Sequence, residues 1–143
     1  MKFKLFINII IIIIFCSSKN VYGNTILFDE GKKLYQNKKY KDAKFKFEKD
    51  IVFNPTNEYS YLFLAKIFNK QKKVNLEENN LNTVLLLNPK NEEAIYLLTL
   101  LKIRNSNFSK AKELISTLNS ICEKMCSSKL ELQKKLDSSL KSK

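Results

Sequence analysis

The only two prolines of this 143-residue chain, Pro55 and Pro89, stand 34 residues apart, and each follows an apolar run in an Asn-Pro-x-Asn sequence. Proline cannot continue a helix, and it biases the residue before it away from helical conformation. Each motif therefore marks a helix end, and the two ends share one spacing. Glycine also occurs only twice, so turn and hairpin signals for strands are nearly missing. Apolar residues recur instead at helical intervals. Leu27, Leu34 and Tyr35 mark one helix; Ala43, Phe47 and Ile51 mark a second. Tyr61, Leu64, Ala65 and Phe68 mark a third, and Leu81, Val84, Leu85 and Leu87 a fourth. The pattern predicts an all-α chain of paired antiparallel helices.

Columns spaced by 34 extend the pattern without an insertion. Large residues fill Leu27, Tyr61 and Ile95, and small ones Gly31, Ala65 and Thr99. Further columns hold Glu30, Leu64 and Leu98; Leu34, Phe68 and Lys102; Ala43, Glu77 and Ala111; Phe47, Leu81 and Ile115; and Pro55, Pro89 and Glu123. Small residues let the axes of a helix pair approach, while large ones fill the space between pairs. The chain resembles three tetratricopeptide repeats across 24–123. The resemblance implies a right-handed α-solenoid of three helix-turn-helix units, about 24–57, 58–91 and 92–126. The segment 127–143, with Leu130, Leu132, Leu136 and Leu140 among polar residues, is expected to form a seventh, capping helix and a short tail. Glu30, Glu77 and Lys102 put charge into columns that are usually buried, so the second hairpin is expected to splay or shift.

Residues 1–23 read as a secretory signal peptide: a basic start at Lys2 and Lys4, an apolar stretch Leu5 to Phe15, and a cut expected at Gly23–Asn24. The apolar stretch is shorter than the roughly 18 residues a spanning helix needs. A periplasmic or secreted location follows, with an uncleaved membrane anchor as the alternative and lipidation of Cys16 disfavoured by Phe15. Removing Lys2, Lys4 and Lys19 lowers the net charge from +12 to +9. Lys, Asn and Ile fill 55 of 143 positions, a bias that an AT-rich genome produces unaided, so basicity does not argue for nucleic acid.

No histidine is present, which removes the imidazole base and every His-containing zinc site. No glycine-rich phosphate loop exists either. An enzyme, a cofactor and a metal are therefore not expected. The resemblance implies instead a protein-interaction module holding a peptide or partner segment in a groove lined by the first helix of each pair. Groove candidates are Phe28, Lys32, Tyr35 and Gln36; then Tyr59, Leu62, Phe63, Lys66, Asn69 and Lys70; then Glu93, Tyr96, Leu97, Leu100 and Arg104. Cations among aromatics suit an acidic, partly apolar segment. Chaperone-binding members of the family hold a terminal carboxylate with Lys and Asn at certain columns. Phe28, Lys32 and Phe63 occupy three of those places, so that ligand is not implied. A structural or assembly factor bound to membrane or wall through a basic surface is the alternative. Cys122 and Cys126 remain after cleavage. Cβ atoms four apart in a helix lie about 5–6 Å from each other, too far for a disulfide's roughly 3.5–4.5 Å. A bridge there requires the helix to end between them; two buried thiols are the alternative.

Overall fold

The computed structural model describes residues 25–141, and the expected signal peptide lies outside them. These residues form seven helices and no strand: α1 (Ile26–Gln36), α2 (Tyr40–Phe53), α3 (Glu58–Lys70), α4 (Val74–Leu87), α5 (Glu92–Arg104), α6 (Phe108–Ile121) and α7 (Ser128–Lys141). α1 pairs with α2, α3 with α4 and α5 with α6, and α7 packs on α5 and α6. The result is a helical repeat solenoid. Among the described residues no helix is long and apolar enough to cross a membrane.

Pro55 and Pro89 act as their spacing predicts. α2 and α4 stop at Asn54 (φ −135°, ψ 73°) and Asn88 (φ −141°, ψ 92°), both outside the helical region. Three residues on, Asn57 and Asn91 cap α3 and α5, their side-chain oxygens accepting from the backbone N–H of Tyr59 and Ala94.

The turns inside the hairpins repeat as strictly, without glycine. Lys38, Lys72 and Ser106 have φ of 59°, 57° and 58°. At each, the left-handed residue donates to the carbonyl three back and its successor to the carbonyl five back. Thus Lys38 N–H meets Tyr35 O at 3.0 Å, and Lys39 N–H meets Leu34 O at 2.9 Å. That pairing is the Schellman motif, which satisfies carbonyls a helix end would otherwise orphan.

Two apolar clusters form the core. Phe28, Ala43, Phe47, Leu64, Ile67 and Phe68 join α1, α2 and α3. The other cluster runs from Leu62 and Ala65 of α3 through α4, α5 and α6 to Leu132 and Leu136 of α7. α3 thus serves both, with Leu64, Ile67 and Phe68 on one side and Leu62 and Ala65 on the other. Gly31 shows why its column is small: a Cβ there would stand 2.8 Å from Phe47 Cε1.

The charged columns correct the expectation of a splayed second hairpin. Glu77 is buried at 2% exposure, yet Ala65 and Leu81 still meet in one cluster across the α3–α4 pair. Its carboxylate accepts from Asn69 Nδ2 at 2.7 Å and Arg104 Nη2 at 2.7 Å. Lys102 pairs with Glu78 at 2.6 Å, and Glu30 reaches Lys46 at 2.6 Å. Pairing, not displacement, accommodates the charges.

Candidate groove site

α1, α3 and α5 border a cavity of about 360 Å³ lined by Tyr35, Ala65, Lys66, Asn69, Lys70, Glu77, Leu81, Glu93 and Leu97. Its floor is built from below by α4, through Leu81 and the buried Glu77. Tyr35 stands at one wall, its ring edge-on to Phe63 at 5.1 Å and to Tyr40 at 5.4 Å. Burial raises the Tyr35 phenol above its ordinary pKa, and nearby Lys70 opposes the shift. Lys66 lies 4.7 Å over the Phe63 ring and pairs with Glu93 at 2.6 Å. Lys70 lies 5.2 Å over the Tyr40 ring and has no carboxylate partner among the described residues. Of the two cationic side chains at the cavity, Lys70 is therefore the one whose charge is unmatched.

The structure brings Tyr35, Lys66 and Lys70 together at this cavity, with Asn69, Glu93 and Leu97. It does not bring the other candidates there. Phe28, expected in the groove, is 3% exposed and packs among the rings of Phe47, Tyr59 and Phe63. Leu62 is likewise buried. Arg104 is committed to Glu77, and the Tyr96 hydroxyl donates to Glu131 of α7 at 3.0 Å. Tyr59 lines a second cavity, about 380 Å³, between the starts of α3 and α5 and the 121–125 segment. Lys32 is exposed and borders neither cavity.

Two features near the site were not anticipated. Asp50 is fully buried at the end of α2, where its column holds Val84 and Leu118 in the other repeats. It accepts from Thr25 Oγ1, from Asn57 Nδ2 at 2.8 Å and from Ser60 Oγ at 2.5 Å. The other feature is the way each hairpin grips the turn that follows it. Glu58 accepts from Asn88 Nδ2 at 2.9 Å and Asn91 Nδ2 at 3.1 Å. Glu92, one repeat on, accepts from the backbone N–H groups of Glu123 at 2.8 Å, Lys124 at 3.1 Å and Met125 at 2.6 Å. Those bonds, Glu123 foremost, hold the Glu92 carboxyl below its usual range. The gripped segment is closed by a Cys122–Cys126 disulfide with Cα atoms 5.2 Å apart. α6 ends at Ile121, so Cys122 has left the helix (φ −62°, ψ 136°).

No protein-family model matches the sequence, and no curated protein sequence does. The fold does match solved structures. One is the first tetratricopeptide domain of Spaghetti (RPAP3) bound to the HSP90 peptide SRMEEVD. The TM-score is 0.72 at 20% identity, covering 81% of this chain and 91% of that one. The TPR2B domain in the pHsp70 complex of yeast Sti1 gives 0.69 at 14% identity, covering 83% of this chain and 100% of that one. The type III secretion chaperone SycD of Yersinia enterocolitica, in complex with a peptide of the translocator YopD, gives 0.68 at 16%, covering 87% and 95%. The chain has the tetratricopeptide-repeat fold.

Proposed function

We propose that this chain is a non-enzymatic interaction module, exported by way of residues 1–23, that holds a peptide or partner segment in the groove of α1, α3 and α5. The observation that carries the reading is the 360 Å³ cavity, walled by Tyr35 and Leu97 and bearing the unmatched Lys70. Such a site accepts an apolar side chain next to a carboxylate: the apolar group lies against the part-exposed Leu97 and the Tyr35 ring, and the carboxylate meets Lys70. Three structural neighbours were solved with peptide or chaperone partners, which supports the same use of this fold. Their low identity leaves the ligand chemistry to this chain's own residues.

Selection from a displayed random-peptide library tests the proposal. Peptides pairing acidic with large apolar residues are expected to be enriched, and Lys70→Glu is expected to weaken their binding about tenfold or more. Lys46→Glu makes the same charge change on α2, away from the groove. Arg104 is not a clean probe, because reversing it would strand Glu77. No enrichment, or equal losses for Lys70→Glu and Lys46→Glu, would overturn the groove assignment.

A further inference from the structure

The antiparallel hairpins divide the solenoid into two edges of different character. One carries the starts of the first helices and the ends of the second ones, held together by Thr25 to Asp50 and by Asn88 to Glu58. On this edge Leu86 is 82% exposed, Ile26 78%, Val52 73% and Phe53 70%. Tyr59 and Leu87 are exposed beside them. Val52 and Leu86 share one 34-residue column, and Phe53 and Leu87 the next, so the apolar character recurs from repeat to repeat. The opposite edge is made of the turns Asn37-Lys38-Lys39, Gln71-Lys72-Lys73 and Asn105-Ser106-Asn107, all polar.

We infer that the apolar edge is a membrane-contact surface, lying on a lipid bilayer at the depth of the headgroups without crossing it. Exposed apolar side chains clustered on a soluble fold mark an interaction surface. Two observations identify a bilayer as the occupant. Lys49, one turn before Phe53, and Lys90, in the turn after Leu87, stand among these side chains and form no ion pair among the described residues. Lysines outside any ion pair around large apolar groups match an anionic headgroup layer over hydrocarbon. The second observation is where the chain enters. Residue 25 lies on this edge, hydrogen-bonded to Asp50, and the apolar run Leu5 to Phe15 precedes it. While that run is attached and engaged with a bilayer, the edge bearing Ile26, Val52 and Phe53 is the part of the fold tethered nearest to it. This surface is separate from the groove cavity, whose lining includes none of these residues. A groove-bound segment and a lipid surface are thus compatible in one molecule.

The test uses the full chain carrying Cys16→Ser, labelled with an environment-sensitive nitrobenzoxadiazole group at Leu86→Cys on the apolar edge or at Lys39→Cys on the polar one. With vesicles of equal phosphatidylethanolamine and phosphatidylglycerol, emission from position 86 is expected to shift to the blue and that from position 39 to stay unchanged. Adding Ile26→Ser, Val52→Ser and Phe53→Ser, all exposed, is expected to abolish the shift at 86 while leaving the helical circular dichroism unchanged. Absence of a shift at 86, or the same shift at both positions, overturns the inference. So does a shift that survives the serines, since the N-terminal run alone would then account for it. A shift that grows with protein concentration without vesicles assigns the edge to a second copy of the chain and overturns it too.

Discussion

At the scale of single residues, Asp50 shows how a fold can keep a carboxylate where its sister repeats keep Val84 and Leu118. Its oxygens take three side-chain donors, and Asn57 and Ser60 depend on it while buried. Removing it alone leaves those donors unmet, so Asp50→Ala is expected to cost about 2–4 kcal/mol in urea unfolding. Asp50→Val with Ser60→Ala, which copies the apolar pattern of the next repeat, should cost less, because the Ser60 donor goes with its acceptor and only Asn57 and Thr25 are left without theirs. Equal losses for the two variants would show that the network holds no strain of dependence. The left-handed turn residues make the opposite case. Lys72 at φ 57° bears a Cβ in a conformation that disfavours one. Lys72→Gly is expected to raise stability by up to about 1 kcal/mol, read as a higher urea midpoint, despite glycine's greater entropy when unfolded. None of this was legible beforehand. The columns around Pro55 and Pro89 showed the period because proline acts through its own ring. The Schellman turns, equally periodic, are occupied at their left-handed positions by Lys38, Lys72 and Ser106, none of them glycine, the usual occupant. The groove candidates divided for a related reason. Lys66 and Lys70 line the cavity while their column mates Lys32 and Arg104 do not, and Phe28 turned inward because three neighbouring rings offered it burial that no column count reveals.

Among the elements, α7 is the one whose attachment differs from the rest. It covers the end of the second core with Leu132 and Leu136, and the 122–126 loop leading to it is held by Glu92 and closed by the disulfide. A five-residue ring restricts the unfolded chain by about 2 kcal/mol on loop-closure entropy. Cys122→Ser with Cys126→Ser is therefore expected to lower stability by about that amount, with the lost protection against amide hydrogen exchange concentrated in α7. Uniform loss across α1 to α6 would contradict a local clasp. The same measurement against pH has a definite sign. The folded Glu92 carboxyl is depressed, so its contribution is complete above the ordinary carboxylate range and fades as pH falls below that range through the folded value. Glu92→Gln should remove the acid-sensitive part of α7 protection. The spacing of Cys122 and Cys126 demanded a helix end between a bridged pair; α6 ends at Ile121, one residue before the pair, so both cysteines lie in the loop to α7. The role of Glu92 was hidden, because its partners are backbone groups that no residue type announces.

For the whole molecule, the division into two cores joined through α3 sets how it comes apart. Repeats that touch only their neighbours open in parts. Leu64→Ala, in the first core, is expected to cost about 2–5 kcal/mol and to expose amides of α1 and α2 first. Leu118→Ala, in the second, should release α6 and α7 while the N-terminal pair keeps its protection; identical exchange patterns would mean a single cooperative body. Glu58 and Glu92 occupy one column, and each reaches the turn after its own hairpin, but the two turns are made differently. The Asn88-Pro89-Lys90-Asn91 turn leads into another first helix, whereas the disulfide loop leads into α7. A duplicated copy of residues 58–91 would meet matching Asn-Pro-x-Asn junctions on both sides, so the array is built to accept a further whole repeat at that point. A copy inserted after Cys126 would meet a junction of another make, the disulfide loop held by Glu92, and would lack the Asn-Pro-x-Asn turn that joins one repeat to the next.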